Sequence, residues 1–216
     1  MKVYNFDETP SLMSRYLLEM RDVDTQHDPL RFRRNLERAG EIMAYEISKT
    51  LDYKEVDITT PLAPCRCLTP ADNVVLGTIF RAGVPFHQGF LSFFDRAQNA
   101  FVSAYRKYKE KENFDILIEY LASPCLDGKT LILCDPMLAT GASMELSYRA
   151  LLTKGTPAKV HLASVIASRQ AVDYLQKTMP EDATLWVGVI DDTINAHSYI
   201  VPGLGDAGDL AYGVKE

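Results

Sequence analysis

No stretch of the 216 residues stays apolar over the roughly 20 positions that a membrane-spanning helix needs. The opening MKVYNFDETP also lacks the apolar core of a signal peptide, so we expect a cytoplasmic protein without membrane contact. Basic residues are outnumbered, since 23 Lys and Arg face 29 Asp and Glu for a net charge of −6. This balance argues against nucleic acid as a partner, although local amides and arginines can still bind an anion.

Cysteine is scarce, and four thiols suit a reducing compartment. Cys65 and Cys67 form a C-x-C pair, but no second pair or histidine cluster completes a zinc site, so ordinary thiols are favoured. Internal repeats, low-complexity tracts and long linkers are absent as well. We therefore expect residues 1–216 to form a single domain.

The apolar pattern switches between two periods along the chain. Residues 31–51 carry apolar side chains at helical spacing, from Phe32 to Leu51, and Asp28-Pro29 is a helix start signal. Continuous β-branched runs predict buried strands over 73–80, 130–134, 160–168 and 184–190. A further strand is predicted at a sheet edge over 56–62, where Pro61 and Pro64 limit its length.

Helices are predicted between these strands. One begins after Pro85, and its inward positions are Phe90, Phe93, Phe94, Ala97, Phe101 and Ala104. A second covers 141–154 and is closed by Gly155, and a third ends near Pro180. Alternating strands and helices predict an α/β fold, with a parallel sheet covered by helices on both faces. Ligands of such sheets lie beyond the carboxyl ends of the strands.

The loop after the 130–134 strand has the composition of a phosphate site. Asp135 ends the strand, and the loop continues as Pro136-Met137-Leu138-Ala139-Thr140-Gly141-Ala142-Ser143. Amides at a helix start favour an anion, and the Thr140 and Ser143 hydroxyls can donate to the same oxygens. The Asp135 carboxylate can accept from hydroxyls, so the pair of groups suits a ribose 5-phosphate. By composition alone, a plain strand–helix turn with Ser/Thr capping fits equally well.

Two other segments carry polar recognition groups. Arg81 follows the 73–80 strand, and its planar guanidinium suits phosphate oxygens. Near the end, Gly203, Gly205 and Gly208 match G-x-G-x-x-G. We expect no helix to follow, because few residues remain, and therefore reject a dinucleotide fingerprint. Such a loop instead exposes backbone donors and acceptors that can bind a pyrimidine edge.

The letters of these segments resemble a known family. DPMLATGAS (135–143) is similar to the loop of type I phosphoribosyltransferases that binds 5-phosphoribosyl 1-diphosphate (PRPP). It is close to the uracil-specific DPMLATGGS, with Ala142 replacing a glycine. FRAG (80–83) resembles the LRAG turn that holds diphosphate, and YIVPGLGDAGD (199–209) resembles the uracil-binding loop. The chain thus resembles the uracil phosphoribosyltransferases.

The resemblance implies a type I phosphoribosyltransferase fold with helices over about 10–52, a core sheet over about 56–190 and a base-binding hood over about 191–216. It implies transfer of the 5-phosphoribosyl group from PRPP to uracil, giving UMP and diphosphate. The implied catalytic residues are Asp135, Arg81 and Arg106. The implied PRPP contacts are Arg81, Arg106, Asp206 and the 135–143 loop, and those for uracil are Ile200, Gly205, Asp206 and Ala207, mainly through backbone atoms.

The resemblance also implies Mg²⁺, held mainly by substrate oxygens and water with Asp206 as the nearest carboxylate, and no organic cofactor. A homodimer or higher homo-oligomer is expected, with GTP as a possible effector. Three regions depart from the family pattern, namely 107–124, 190–199 and the stretch after Asp209. They leave open an alternative, a PRPP- or UMP-binding regulator or a catalytically degenerate member.

Overall fold

The computed structural model describes residues 1–108 and 114–215, and the side chains of 104–117 lie outside that description. In this part of the chain the strands are β1 (Lys2–Asn5), β2 (Tyr53–Thr59), β3 (Pro64–Pro70), β4 (Val74–Phe80), β5 (Gln98–Tyr108), β6 (Phe114–Ala122), β7 (Thr130–Cys134), β8 (Met137–Leu138), β9 (Lys159–Ser168), β10 (Thr184–Asp191), β11 (Thr193–Ile194) and β12 (Ile200–Val201). The α-helices are α1 (Leu12–Arg21), α2 (Pro29–Ser48), α3 (Gly83–Phe93), α4 (Ala142–Leu151), α5 (Arg169–Thr178) and α6 (Ala207–Tyr212).

The central sheet has the strand order β1-β10-β9-β7-β4-β5-β6, and β8 also pairs with β9. All of its pairs are parallel except the antiparallel pair of β5 and β6. The connections β4-α3-β5, β7-α4-β9 and β9-α5-β10 each carry a helix, as parallel neighbours require. The predicted α/β fold with a mainly parallel sheet is therefore confirmed.

The hydrophobic core has two layers, one on each face of the sheet. Successive side chains of a strand point to opposite faces, so Leu131 and Leu133 pack with α4 and α5. Ile132 and Cys134 point the other way, into a cluster formed with α1, α2 and α3. This arrangement explains why the strand sequences read as continuous apolar runs.

Helix α2 begins where the sequence predicts. Asp28 precedes it and accepts hydrogen bonds from the amides of Leu30 and Arg31, at 2.9 and 3.1 Å, while Pro29 occupies the first turn. The helix ends at Ser48 rather than at residue 51. Helix α4 is extended by a 3-10 turn over Leu152–Lys154 up to Gly155, as predicted.

The prediction after Pro85 is wrong beyond residue 93. Helix α3 ends at Phe93, and a short turn follows in which the Ala97 amide donates to the Phe94 carbonyl. Phe101 and Ala104, predicted on the helix, instead lie on β5, which pairs in parallel with β4. This segment forms a strand because its backbone hydrogen-bonds to the free edge of β4, and this pairing is more favourable than the helix that the spacing of its aromatic residues predicts.

The predicted edge strand over 56–62 is also corrected. Strand β2 covers Tyr53–Thr59 and pairs with β3 in a separate two-stranded hairpin outside the central sheet. Pro61 lies in the turn and Pro64 opens β3, so neither interrupts a ladder. The edges of the central sheet are β1 and β6, which the pattern did not reveal. Among the helices described here, none has the length and apolar character to cross a membrane.

Candidate active site

Three segments meet beyond the carboxyl ends of β4 and β7. They are the turn at Arg81, the 135–143 loop and the C-terminal residues 191–215, which we call the hood. The Ala207 amide of the hood lies 3.4 Å from the Met137 Sδ atom of the loop. Arg81 donates to Asp209 of the hood at 2.6 Å. The structure thus brings together the sequence-predicted segments from distant parts of the chain.

Asp135 stands at the end of β7, where its amide donates to the Ala163 carbonyl of β9. Its carboxylate accepts a hydrogen bond from the Met137 amide at 3.2 Å. Burial raises the pKa of this carboxyl to about 7, and the Met137 amide opposes the rise. The group is therefore close to its titration midpoint at neutral pH, and donors to the carboxylate would favour its ionised form.

The rest of the loop is fixed by backbone and buried contacts. The Pro136 carbonyl accepts from the amides of Val165 and Ile166, and the Ser168 hydroxyl donates to the Ala139 carbonyl at 2.6 Å. Leu138 and Pro136, two of the predicted PRPP contacts, are buried in this structure, and Pro136 has no N–H and already uses its carbonyl as an acceptor.

The start of α4 presents a helix N-terminus to the site. Gly141 precedes it at φ +81° and, among the described residues, no side chain caps it. A Cβ at Gly141 would lie 3.1 Å from the Tyr174 ring and 3.2 Å from the Ala171 carbonyl oxygen, so both conformation and space require glycine. The Thr140 hydroxyl accepts from the Ala142 amide at 3.4 Å, and Ser143 lies in the first turn.

Ala142 is the first helical residue of α4 and does not adopt a left-handed conformation. The glycine that the family pattern has at this position is therefore not required by backbone strain. The replacement by alanine leaves the shape of the loop compatible with an anion at the helix start.

Arg81 is held by the hood in this structure. Its guanidinium donates to the Asp209 carboxylate at 2.6 Å and to the Gly213 carbonyl at 3.2 Å. It also packs on Gly208, where an added Cβ would lie 3.1 Å from Nη2. The second predicted arginine, Arg106, lies on β5 opposite Ile116, and its side chain is outside the described residues.

A buried carboxylate anchors the start of the hood. Asp191, at the end of β10, accepts from Arg21 of α1 at 3.0 and 3.1 Å. Its Oδ2 atom also accepts from the Gly203 amide at 2.8 Å. Gly203 has φ +65°, and a Cβ there would collide with the Ile200 carbonyl, so glycine is required at this turn.

Two further N-terminal side chains hold the hood. Gln26 donates to the Leu204 carbonyl at 3.3 Å, and Arg33 of α2 donates to the Ala211 carbonyl at 2.7 Å. Sequence reasoning missed Arg21, Gln26 and Arg33, because each acts on a residue about 170 to 178 positions away. No local pattern reports such a contact.

The predicted uracil contacts lie on the hood with different exposures. Ile200 and Ala207 are buried residues, at 3% and 1% exposure. Gly205 has φ +90° and open space around its Cα. Asp206 begins α6: its Oδ1 accepts from the Gly208 and Asp209 amides, at 2.9 and 3.1 Å.

Helix α6 corrects the expectation that no helix follows the glycine-rich segment. It has only six residues and ends at Tyr212, and the strand before it, β12, has two residues. The segment therefore lacks the long strand–helix unit of a dinucleotide site, and the rejection of that fingerprint stands on different grounds.

Magnesium has few protein ligands available. In residues 1–108 and 114–215, no three His, Cys, Asp or Glu side chains group closely enough to hold a metal ion. The Oδ1 atom of Asp206 is engaged in capping, while Oδ2 lies 3.4 Å from Lys215 Nζ. These residues fit an ion bound mainly by substrate oxygens and water.

A cavity of about 630 Å³ adjoins the 135–143 loop on its α5 side. We call it the α5 cavity. Its lining residues are Thr140, Ala142, Arg169, Gln170, Asp173, Tyr174, Lys177 and Asp192. It therefore extends from the start of α4 along one face of α5 to the hood.

His87 and His197 differ in their surroundings. His87 is buried against Phe101, with ring centroids 5.6 Å apart, and burial lowers its pKa to about 4. It is neutral at physiological pH and packs in the core. His197 is exposed on the hood.

Comparison with known proteins gives consistent matches over the whole chain. The family model for uracil phosphoribosyltransferase matches residues 9–214. The uracil phosphoribosyltransferase of Porphyromonas gingivalis is 61% identical over 215 residues, which covers 100% of both chains. That of Thermococcus sibiricus is 38% identical over 215 residues, covering 98% of this chain and 90% of its own. The solved structure of the AQ2163 protein from Aquifex aeolicus matches with a TM-score of 0.89 at 28% identity, over 98% of each chain.

Proposed function

Since the chain belongs to the uracil phosphoribosyltransferase family of enzymes, we propose that it transfers the 5-phosphoribosyl group from PRPP to uracil, giving UMP and diphosphate. Its α/β fold is that of the type I phosphoribosyltransferases. The observation that carries the proposal is the meeting of the 135–143 loop, Arg81 and the hood at one edge of the sheet. Full-length identity of 61% to an enzyme supports this function over a regulatory or degenerate one.

The 135–143 loop would bind the ribose 5-phosphate. The amides at the start of α4 and the hydroxyls of Thr140 and Ser143 would donate to the 5-phosphate. Asp135 would accept from the ribose hydroxyls, which orients the sugar and favours the ionised carboxylate. Binding energy from the phosphate would thereby align the reacting C1 atom.

Diphosphate would leave on the other side, near Arg81. To bind diphosphate, this guanidinium would exchange its contacts with Asp209 and the Gly213 carbonyl for phosphate oxygens. Arg106 is a second proposed diphosphate ligand. A bound Mg²⁺ ion would neutralise charge on the diphosphate, and Asp206 would offer it the Oδ2 atom, which in this structure lies 3.4 Å from Lys215 Nζ.

Uracil would lie against the hood. The exposed backbone at Gly205, together with amides and carbonyls near Ile200 and Ala207, offers the alternating donors and acceptors that a uracil edge needs. A ring nitrogen would form the new bond to C1 as the bond from C1 to diphosphate breaks, and the proton of that nitrogen would pass to water or to a diphosphate oxygen. The protein would act mainly by positioning and by stabilising charge, since the transition state has oxocarbenium character.

Partners beyond the substrates follow from weaker observations. The β2–β3 hairpin stands outside the sheet and exposes Leu62 and Leu68, which supports a homodimer or larger homo-oligomer. Regulation by GTP, a cytoplasmic location and a role in pyrimidine salvage stay predictions.

The decisive experiment is a UMP-forming assay with uracil, PRPP and Mg²⁺. Uracil is expected to give product, whereas cytosine, hypoxanthine and orotate give none. Asp135→Asn is expected to lose most turnover while circular dichroism shows an intact fold. A wild-type enzyme that binds PRPP but makes no nucleotide from any base would contradict the proposal, and wild-type rates in Asp135→Asn would remove Asp135 from the site.

A further inference from the structure

The α5 cavity is lined by a cationic side chain, that of Arg169, to which the mechanism above gives no role. Arg169 is the first residue of α5 and lines this cavity together with Thr140 and Ala142 of the 135–143 loop. Arg169 is exposed, and none of the ion pairs among the described residues includes it. Its guanidinium is therefore available to a ligand in the cavity.

The position of Arg169 opposes the usual distribution of charge along a helix. A cation in the first turn faces the positive end of the helix dipole, which is unfavourable. The same helix places Lys177 in its last turn, where a cation is favourable. A residue that breaks a local rule in this way indicates a functional reason.

The starts of α4 and α5 are fixed close to each other. Ser168, which caps α5 by accepting from the Ala171 amide at 2.9 Å, donates to the Ala139 carbonyl of the loop at 2.6 Å. A Cβ at Gly141 would lie 3.2 Å from the Ala171 carbonyl oxygen. Two helix N-termini and Arg169 thus surround the same end of the cavity.

The 135–143 loop itself supplies no positive side chain. A 5-phosphate with nearly two negative charges would meet only amides and hydroxyls there. Asp173 and Asp192 also line the α5 cavity and make its electrostatic potential more negative. A cationic side chain near the loop is therefore needed if an anion is to bind there. Arg169 is the lining cation nearest to the loop in sequence, because Lys177 lies eight residues further along α5, or about 12 Å.

We infer that Arg169 is a binding residue for the 5-phosphate of PRPP and UMP, and that it acts from the α5 side of the 135–143 loop. This inference rests on the proposed function and adds a specific ligand to it. Arg169 would contact the phosphate that stays attached to the ribose, whereas Arg81 would contact the diphosphate that leaves.

The test compares Arg169→Ala with Lys177→Ala, which removes the same charge from the same cavity. Arg169→Ala is expected to raise the KM for PRPP and the Kd for UMP by about 10- to 100-fold, the usual loss for a hydrogen bond to a charged group. The inhibition constant of diphosphate stays within about 2-fold, because Arg81 and not Arg169 would contact the diphosphate. Lys177→Ala stays close to wild type.

Two further variants separate contact from structural damage. Arg169→Lys is expected to recover part of the affinity, since the charge returns without the planar fork. Asp192→Asn is expected to tighten UMP binding, because it removes a carboxylate from the cavity.

Equal effects of Arg169→Ala and Lys177→Ala, or an equal loss of diphosphate affinity in Arg169→Ala, would overturn the inference. If the wild type makes UMP and Arg169→Ala matches it in every constant, only the inference fails. A wild type that makes no UMP under the same conditions would overturn the proposed function as well.

Discussion

Replacement of Asp135 by asparagine should stabilise the ligand-free protein while it inactivates the enzyme. The folded protein raises the pKa of this carboxyl from 3.8 to about 7, chiefly by burial. Between these two values the folded chain holds a proton that the unfolded chain has lost. The contribution of Asp135 to the free energy of unfolding therefore falls as pH rises from about 4 to 7, and it stays low above pH 7.

The magnitude follows from the size of the shift. A rise from 3.8 to about 7 is roughly 3 pH units, and each unit corresponds to about 1.4 kcal/mol, so the ionised carboxyl costs at most about 4 kcal/mol at pH 8. At pH 5 the pH is only about one unit above the pKa of the unfolded chain, so the free energy of unfolding is lowered by only about 1 to 2 kcal/mol. Asparagine keeps the oxygen that accepts from the Met137 amide and carries no charge.

The assay is urea unfolding of the wild type and Asp135→Asn at pH 5 and pH 8, without substrates. The stability difference in favour of the variant should grow by about 2–3 kcal/mol between these pH values. Turnover should fall by about 10²- to 10³-fold, since hydrogen bonds from the ribose hydroxyls to a charged acceptor are lost. A difference in stability that does not change with pH would refute the argument, because the carboxyl would then ionise without cost.

Three other substitutions test separate parts of the site. Ala142→Gly should leave kcat/KM equal to or higher than that of the wild type, because position 142 is an ordinary helical residue. A collapse of kcat/KM in steady-state assays would show that the conformation of the loop backbone is misinterpreted. Asp191→Asn should raise the KM for uracil about 10-fold with little change for PRPP, since it weakens the anchor of the hood at Arg21; equal loss for both substrates would contradict this. Asp209→Asn should lower the KM for PRPP by up to about 5-fold, because it releases Arg81 from an exposed ion pair; an increase measured in the same assay would show that the pair positions Arg81 for catalysis.

The sequence predicts the sheet and its strand ends because those signals are local. Runs such as 130–134 and 160–168 are mainly apolar and contain β-branched residues, and a loop or a helix start follows each of them. The stretch from Phe93 to Ala104 misleads, because its aromatic spacing suits a helix as well as a strand. Only the open edge of β4 decides between them, and that edge is a property of the folded sheet.

Some residues of the candidate site can likewise be predicted from local sequence, and others cannot. The residues that would contact substrate, such as Asp135 and Arg81, lie in short sequence motifs that can be recognised without knowledge of the fold. The residues that hold the hood do not, since Arg21 and Gln26 gain their role only when the two ends of the chain meet. Arg169 does give a local signal, because it is a cation in the first turn of a helix. Its proposed role can be inferred only once the structure shows the 135–143 loop beside it.

The anchoring of the hood has a consequence for the order in which the protein assembles. Its contacts reach back to α1, α2 and the end of β4, across 128 to 178 residues, so they can form only after the ribosome has released the hood itself. The 135–143 loop depends instead on β9 and α5, which follow it closely. A nascent chain would therefore complete the 135–143 loop before the hood is anchored, and under the proposed roles of these segments phosphate binding would precede uracil recognition during synthesis.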